Sequence, residues 1–312
     1  MPPSSLLLGI DIGGTKSAVS LGNSSGQILL RDQWPSLTSR GPTLMIQDIF
    51  QHTAALLAQH ALSDPSLPSR AGVSIGGPLD CERGIIHNPP GLPGWDAIPL
   101  QATLEAQLNL PVRVLHDAAA CALAEHLWGD AQKSRRLAYL TCGTGLGVGL
   151  IFDGIPYTGT QGRFPEIGHA RLHDHGPIGF GKAGSIEAFG SGSGLPNIAA
   201  WLFPHRWAQS PPDGELLSQL AAAGDLDALT VLDRSADSVG RVCALLGDLL
   251  ILDRIVIGSL GRYLGPSWMT KVRARFHAEV LPFVAQNCPI EIAALADRLQ
   301  DCSSLAAAMH SS

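Results

Sequence analysis

The chemistry this sequence can support is concentrated in three glycine-rich turns and a few carboxylates. Gly13-Gly14-Thr15-Lys16 follows the apolar run Leu6 to Ile10 and precedes a second apolar stretch, Ser17 to Leu21. A turn of this kind offers backbone N–H groups free of side-chain obstruction, a hydroxyl and an ammonium, a set suited to a β- or γ-phosphate. It lacks the GxxxxGK[ST] spacing and no helix start follows it, so Walker-type binding is not expected. On these residues alone an ordinary glycine hairpin is an equal alternative. Gly143-Thr144-Gly145-Leu146-Gly147 repeats the arrangement after Leu137 to Thr141, and Gly258-Ser259-Leu260-Gly261 follows Ile255 to Ile257. One such run is weak evidence; three backbone-donor patches in one chain are more than tight turns alone require.

Asp117 stands where the apolar strand Val112 to Leu115 has ended and an Ala-rich helix, Ala118 to Trp128, begins. A carboxylate there projects into a crevice in open α/β sheets and can take the proton of a hydroxyl attacking a phosphate. It can equally serve as the N-cap of the helix. Glu166, His169 and Glu187 lie in the glycine-dense segment 152 to 194, where carboxylates and an imidazole can fix the hydroxyls of a polyol. A lone His with two carboxylates matches no metal-ligand spacing, so zinc ranks below hydroxyl binding, with plain surface charges on a loop as the third alternative.

The elements that must position these residues follow from pattern. Leu6 to Ile10, Ser17 to Leu21 and Gln27 to Arg31, with the turn cluster Asn23 to Gly26, read as a three-strand meander. Apolar residues at near-helical spacing predict a helix over 43–62, then a strand over 71–75 ending at Gly76-Gly77-Pro78, a Pro/Gly loop over 88–94, and a helix over 100–108. Beyond the irregular 152–194 come helices over 216–252 broken at Gly224, a buried strand at 255–257, a glycine loop over 258–265 and a tail helix over 293–309. Strand, glycine turn and strand recur at 6–21 and 137–152, which suggests two related domains. The expected division is an N-terminal α/β domain, 1–117, onto which a C-terminal helix over 295–312 packs back, and a C-terminal α/β domain, 118–294.

Composition narrows the function classes. The 312 residues exceed what one core usually holds, and 45% hydrophobic with 15% charged residues describes a folded chain. A formal net charge of −6 and no long Lys/Arg cluster argue against nucleic acid as a partner. No basic n-region precedes Leu6, and no uninterrupted apolar stretch of about 18 residues occurs, so neither a signal peptide nor a membrane span is expected. The 6 cysteines are scattered without a CxxC pair and read as reduced core residues, consistent with the cytoplasm.

Taken together, Gly9-Ile10-Asp11-Ile12-Gly13-Gly14-Thr15-Lys16, Thr141-Cys142-Gly143-Thr144-Gly145-Leu146-Gly147 and Glu166-Ile167-Gly168-His169 resemble the ROK family of repressors, open reading frames and sugar kinases. The resemblance runs from about Leu6 to about Leu305 and takes in Gly181, Gly184, Glu187 and Asp253 to Gly258. It implies an α/β, two-domain actin-like ATPase (ribonuclease H-like) fold with a cleft between the domains, and ATP-dependent phosphorylation of a hexose or hexosamine hydroxyl, the 6-position above others. It makes Asp117 the catalytic base and gives Mg²⁺ to Asp11. Gly13, Gly14, Thr15, Lys16, Gly143, Thr144 and Gly145 would approach the phosphates, with Gly258 and Gly261 beside the adenosine. Gly77, Asn88, His116, Asp117, Glu166, His169 and Glu187 would bind the sugar. A homodimer is a further family expectation. The phosphate motif begins within a dozen residues of Met1, so a kinase-type member rather than one with the repressors' winged helix is expected.

Three departures from the family pattern matter. The family's zinc cysteines align with Ile178, Phe180 and Ser185, so zinc is expected to be absent, with the loop held by hydrophobic packing and His169 free to titrate or bind substrate. The Asn that precedes the catalytic Asp is His116, and Gly91 stands where Asn is frequent, although Asn88 lies nearby. Both changes touch sugar contacts, so a sugar-sensing protein that has lost turnover is the alternative to a kinase.

Overall fold

The computed structural model describes residues 5–310. The chain divides into two compact units. The first contains Met1–Lys133, Gly154–Phe164 and Ala294–Ser312, and the second Ser134–Asp153 and Pro165–Ala293. The boundary read from the sequence at 117/118 falls inside the first unit, because the helix that begins at Asp117 packs against the C-terminal helix there.

In the first unit the chain runs β1 (Leu6–Ile12), β2 (Lys16–Asn23), β3 (Ile28–Pro35), α1 (Gly41–Ala61), β4 (Arg70–Ile75), β5 (Leu79–Asp80), β6 (Ile85–His87), β7 (Asp96–Ile98), α2 (Leu100–Leu108), β8 (Val112–His116) and α3 (Asp117–Trp128). The main sheet has the order β3-β2-β1-β4-β8, with β1 antiparallel to β2 and parallel to β4, and β4 parallel to β8. The apolar runs of β1 and β4 are buried almost throughout, as expected of strands covered on both faces.

The second unit holds β9 (Arg136–Leu140), β10 (Val148–Phe152), β12 (Ile178–Gly179), β13 (Lys182–Ala183), α4 (Ile186–Gly190), α5 (Gly194–Leu202), α6 (Pro204–Trp207), α7 (Gly214–Ala222), α8 (Leu226–Leu250), β14 (Arg254–Ile257), α9 (Ser259–Glu279), α10 (Pro282–Asn287) and β15 (Ile290–Ile292). With β11 (Ile155–Pro156), its sheet is ordered β11-β10-β9-β14-β15. Here too an antiparallel hairpin, β9 with β10, is followed by two parallel neighbours, β14 and β15. The repeat seen in the sequence is therefore a repeat of topology. Its core gathers Leu140, Val148, Phe189, Ile198, Val239 and Phe276. Helices α7 and α8 start at Asp213 and Asp225, whose carboxylates accept the N–H of Leu216 and Ala228 at 2.8 and 3.0 Å.

The C-terminal helix α11 (Leu299–Met309) lies back on the first unit's sheet, and the reason it can lie so close is Gly72: a Cβ there would sit 2.1 Å from Ala308 N and Ser304 O. Small residues at 303, 304 and 306–308 complete this contact. The tail helix is shorter than its pattern suggested, since 293–295 is not helical and 296–298 is a single 3₁₀ turn; residues 311–312 lie outside the described residues. A larger difference concerns 258–265. The expected glycine loop is the first turns of α9, which begins at Ser259 and kinks only at Gly265-Pro266.

Candidate active site

In the first unit the strand ends of β1, β4 and β8 and the β1–β2 turn bring Asp11, Gly13, Gly14, Thr15, Gly77, Gly91, His116 and Asp117 to neighbouring positions. The turn is anchored by Gly13 N–H donating to Lys16 O at 3.1 Å and by Ser36, whose N–H donates to Thr15 O at 3.0 Å and whose hydroxyl donates to Gly13 O at 2.6 Å. Gly14, Thr15 and Lys16 are exposed, and the N–H groups of Gly14 and Thr15 have no acceptor among the described residues. The backbone of Gly91, at φ 80°, lies against Gly14. Asn88 has φ 47°, donates its N–H to Trp95 O at 2.7 Å, and leaves its side chain exposed and bonded to none of these residues.

Asp117 is not the N-cap of α3. It is the first residue of the helix, and His116 holds the cap position. The Ala118 N–H lies 2.6 Å from Asp117 Oδ1 and 3.3 Å from His116 Nδ1, so the amide belongs mainly to the carboxylate. His116 Nδ1 accepts the same amide as the helix cap and lies 3.2 Å from Asp117 Oδ1. Side-chain exposure is 7% for His116 and 46% for Asp117, which leaves the imidazole as a buried brace and the carboxylate facing solvent. A Cβ at residue 77 would meet the imidazole at 2.7 Å, so the glycine makes room for His116. Phe164 stacks on the imidazole with ring centroids 5.6 Å apart.

Asp11, partly buried on β1, is the most perturbed acid of this group. Burial, with the negative charge of Asp117 second, pushes its pKa from 3.8 up to about 7. Ser74, its register partner on β4, offsets this only in part: its buried Oγ makes no hydrogen bond of good geometry. A carboxylate short of positive charge, beside an unpartnered hydroxyl, fits a divalent cation.

In the second unit the β9–β10 turn carries Gly143, Thr144 and Gly145, whose N–H groups likewise have no acceptor among the described residues. Thr141 Oγ1 accepts the Gly147 N–H at 2.8 Å, and Glu187 Oε2 accepts the Leu146 N–H at 3.2 Å. The turn's carbonyls are taken up by a loop that the sequence reading did not single out, Gly190-Ser191-Gly192-Ser193-Gly194. Gly192 N–H donates to Gly143 O at 2.7 Å, and the Ser193 hydroxyl to Thr144 O at 2.6 Å. Its Gly/Ser composition was the available signal. Glu187, in the first turn of α4, also brings the turn to Glu166 and His169. Burial raises its pKa, the Leu146 N–H lowers it, and Glu166 and His169 act with opposite signs.

Gly258 and Gly261 differ from the other two patches. The N–H groups of Gly258, Ser259, Leu260 and Gly261 all donate within the unit, to Leu140, Thr141, Cys142 and Gly258 carbonyls, so this is no third donor patch. These glycines answer packing instead: a Cβ would strike the Tyr139 hydroxyl at 2.3 Å from residue 258, and Ile257 and Met269 at 3.1 Å from residue 261.

The segment at the family's cysteine positions is also built otherwise than expected. Ile178 and Phe180 are 62% and 41% exposed, so hydrophobic packing does not hold it. The β12–β13 hairpin does, together with Ser185, whose hydroxyl donates to Gly179 O at 2.9 Å and accepts the Ala188 N–H at 3.2 Å. Among the described residues no three His, Cys, Asp or Glu side chains are grouped to hold a metal ion, and no helix is long and apolar enough to cross a membrane.

The ROK family model matches residues 7–300. The chain is 30% identical over 301 residues to a glucokinase of Halalkalibacterium halodurans, covering 92% of this chain and 90% of that protein. It is 31% identical over 283 residues to an N-acetylmannosamine kinase of Escherichia coli, covering 88% and 91%. A Streptomyces griseus ROK family glucokinase solved with glucose and AMPPNP superposes with a TM-score of 0.79 at 25% identity over 98% of both chains. The chain belongs to the ROK family, and within it to the sugar kinases, ATP-dependent phosphotransferases with two mixed five-stranded sheets of the actin-like type.

Proposed function

We propose that this chain transfers the γ-phosphoryl group of ATP to a hydroxyl, the 6-hydroxyl above others, of a hexose or hexosamine, with Asp117 as general base. The observation that carries the reading is the setting of that carboxylate: first residue of α3, half exposed, and held at Oδ1 by the Ala118 N–H with His116 behind it. Oδ2 makes no protein hydrogen bond among the described residues and can accept the sugar hydroxyl proton as the oxygen attacks phosphorus.

Most of the barrier in phosphoryl transfer is met by positioning and charge stabilisation. The open N–H groups of Gly14 and Thr15, and of Gly143, Thr144 and Gly145, suit phosphate oxygens, with the exposed Lys16 adding a positive charge. Asp11 would hold Mg²⁺ carried by the nucleotide, and the ion would neutralise phosphate charge. Gly258 and Gly261 would border the adenosine by shape rather than by donated hydrogen bonds. Glu166, His169 and Glu187, with Gly77, Asn88 and His116, would take the sugar. The names of the relatives, glucokinase and N-acetylmannosamine kinase, support a hexose or hexosamine as the class.

The test is a coupled ADP-release assay with MgATP against glucose, mannose, fructose, allose, N-acetylglucosamine and N-acetylmannosamine. Turnover is expected on at least one, and Asp117→Asn should cut kcat by about 10²–10⁴ while the sugar KM moves little. Full sugar-dependent ADP release by that variant would sink the assignment. Silence across the panel, with sugar still raising Tm, would instead favour a sensor.

A further inference from the structure

The β12–β13 hairpin turns on Phe180 and Gly181, at φ 51° and 67°. A two-residue hairpin with positive φ at both central positions calls for Asn, Asp or Gly at the first, because a bulky side chain is disfavoured in the left-handed region. Phe is among the least suited residues for that place. Nothing in the core rewards it either: the ring is 41% exposed. Its aromatic neighbour is His169, met edge-to-face with centroids 5.6 Å apart and planes at 84°. His169 is exposed as well, and its carbonyl accepts from Lys182 Nζ at 2.7 Å, which ties its backbone to the same hairpin.

A strained, exposed aromatic set against an exposed imidazole is a local conflict that folding does not resolve, and such conflicts concentrate at ligand sites. We propose that Phe180 is a substrate-specificity residue, an apolar wall beside His169 against which the carbon-bound hydrogens of the sugar pack while His169 takes a hydroxyl. This rests on the sugar-binding role given to His169 above. A rigid ring contributes contact area at low conformational cost and keeps water from the imidazole's hydrogen bond, which strengthens it.

The experiment compares Phe180→Asn, Phe180→Gly and Phe180→Tyr in the full chain. Asn and Gly relieve the turn, so Tm should rise by about 2 °C. The sugar KM should rise roughly five-fold for both, as expected for a lost apolar contact, with the ATP KM unchanged. Tyr keeps the ring and should keep the wild-type sugar KM and Tm. If the wild type turns over and Asn and Gly leave the sugar KM unaltered, the proposal is wrong and the kinase reading stands. A fall in Tm for Asn and Gly would make the ring a structural element and overturn it as well. If the wild type turns over no sugar, the kinase reading fails first, and the same variants are judged by the sugar concentration that half-saturates the thermal shift; an unchanged value overturns the proposal.

Discussion

The Gly13–Lys16 turn and the Gly143–Gly147 turn join equivalent strands of two sheets with the same order, yet they are held by different chemistry. The first is fastened by Ser36, a neutral residue just beyond β3 in the same unit, and the nearby carboxylate of Asp11 takes no part in holding it. The second is fastened by a carboxylate, Glu187, whose Oε2 accepts the Leu146 N–H. The electrostatics follow. Asp11, with only Ser74 and Arg31 to offset burial and Asp117, is driven up to about 7, whereas the rise at Glu187 is restrained by the Leu146 N–H and His169. On the proposed reading, one turn leaves its carboxylate in reserve for a ligand and the other shares its carboxylate between backbone and ligand.

Asp11→Asn probes the reserve and should give the largest effect. Turnover should fall on the order of 10²-fold or more through lost charge stabilisation at the phosphates. Stability of the ligand-free protein should move the other way. A carboxyl whose pKa is raised from 3.8 to about 7 on folding contributes stability that is present below pH 4 and lost as pH rises through 7. The Asn variant escapes this loss, so it should exceed the wild type by on the order of 4 kcal/mol at pH 8 and match it near pH 4 in denaturant titrations. Equal stability at pH 8 would mean that Asp11 is not held against its charge.

Glu187→Gln comes next and tests the sharing. Gln keeps an acceptor for the Leu146 N–H but loses the charge that strengthens that bond and any bond to a sugar hydroxyl. The sugar KM should rise about ten-fold, the loss of a charge-assisted hydrogen bond, and the ATP KM about two- to three-fold. An ATP KM that stays at the wild-type value would separate the carboxylate from the turn and make the two turns alike.

Much of this comparison was legible in the sequence because its parts are local. The meander, the repeat at 6–21 and 137–152 and the strand end at His116-Asp117 each rest on alternation and a few glycines within one hairpin. What was not legible depends on partners far along the chain. Glu187 meets Leu146 across 41 residues, and the Ser193 hydroxyl meets Thr144 across 49. Gly258 and Gly261 read as a loop by propensity, but Tyr139 and the Thr141 carbonyl leave no space for a Cβ at 258 and Ile257 and Met269 crowd one at 261, and the helix forms in spite of them. At Phe180 the apolar type suggested burial, while the hairpin's handedness sets the ring outside.

The smallest effects belong to the two serines, and they sharpen the comparison most finely. Ser36 is buried, and Ser36→Ala strips Gly13 O of its hydroxyl donor and Ser17 of its partner at 2.9 Å. About 1 kcal/mol of stability should go, with a roughly two-fold rise in the ATP KM. Ser193→Ala removes an exposed bond to Thr144 O and a longer one with Ser191 Oγ at 3.2 Å, while the Ser193 N–H still donates to the Thr144 carbonyl at 3.3 Å, so the stability loss should be smaller and the ATP KM change similar. Neither should alter the sugar KM, since neither hydroxyl touches Glu166, His169 or Glu187. A rise in the sugar KM for Ser193→Ala alone would show that the second turn communicates with the sugar residues through the Gly190–Gly194 loop as well as through Glu187. The distinction between the turns would then rest on the loop that grips the carbonyls rather than on the carboxylate that grips the amide.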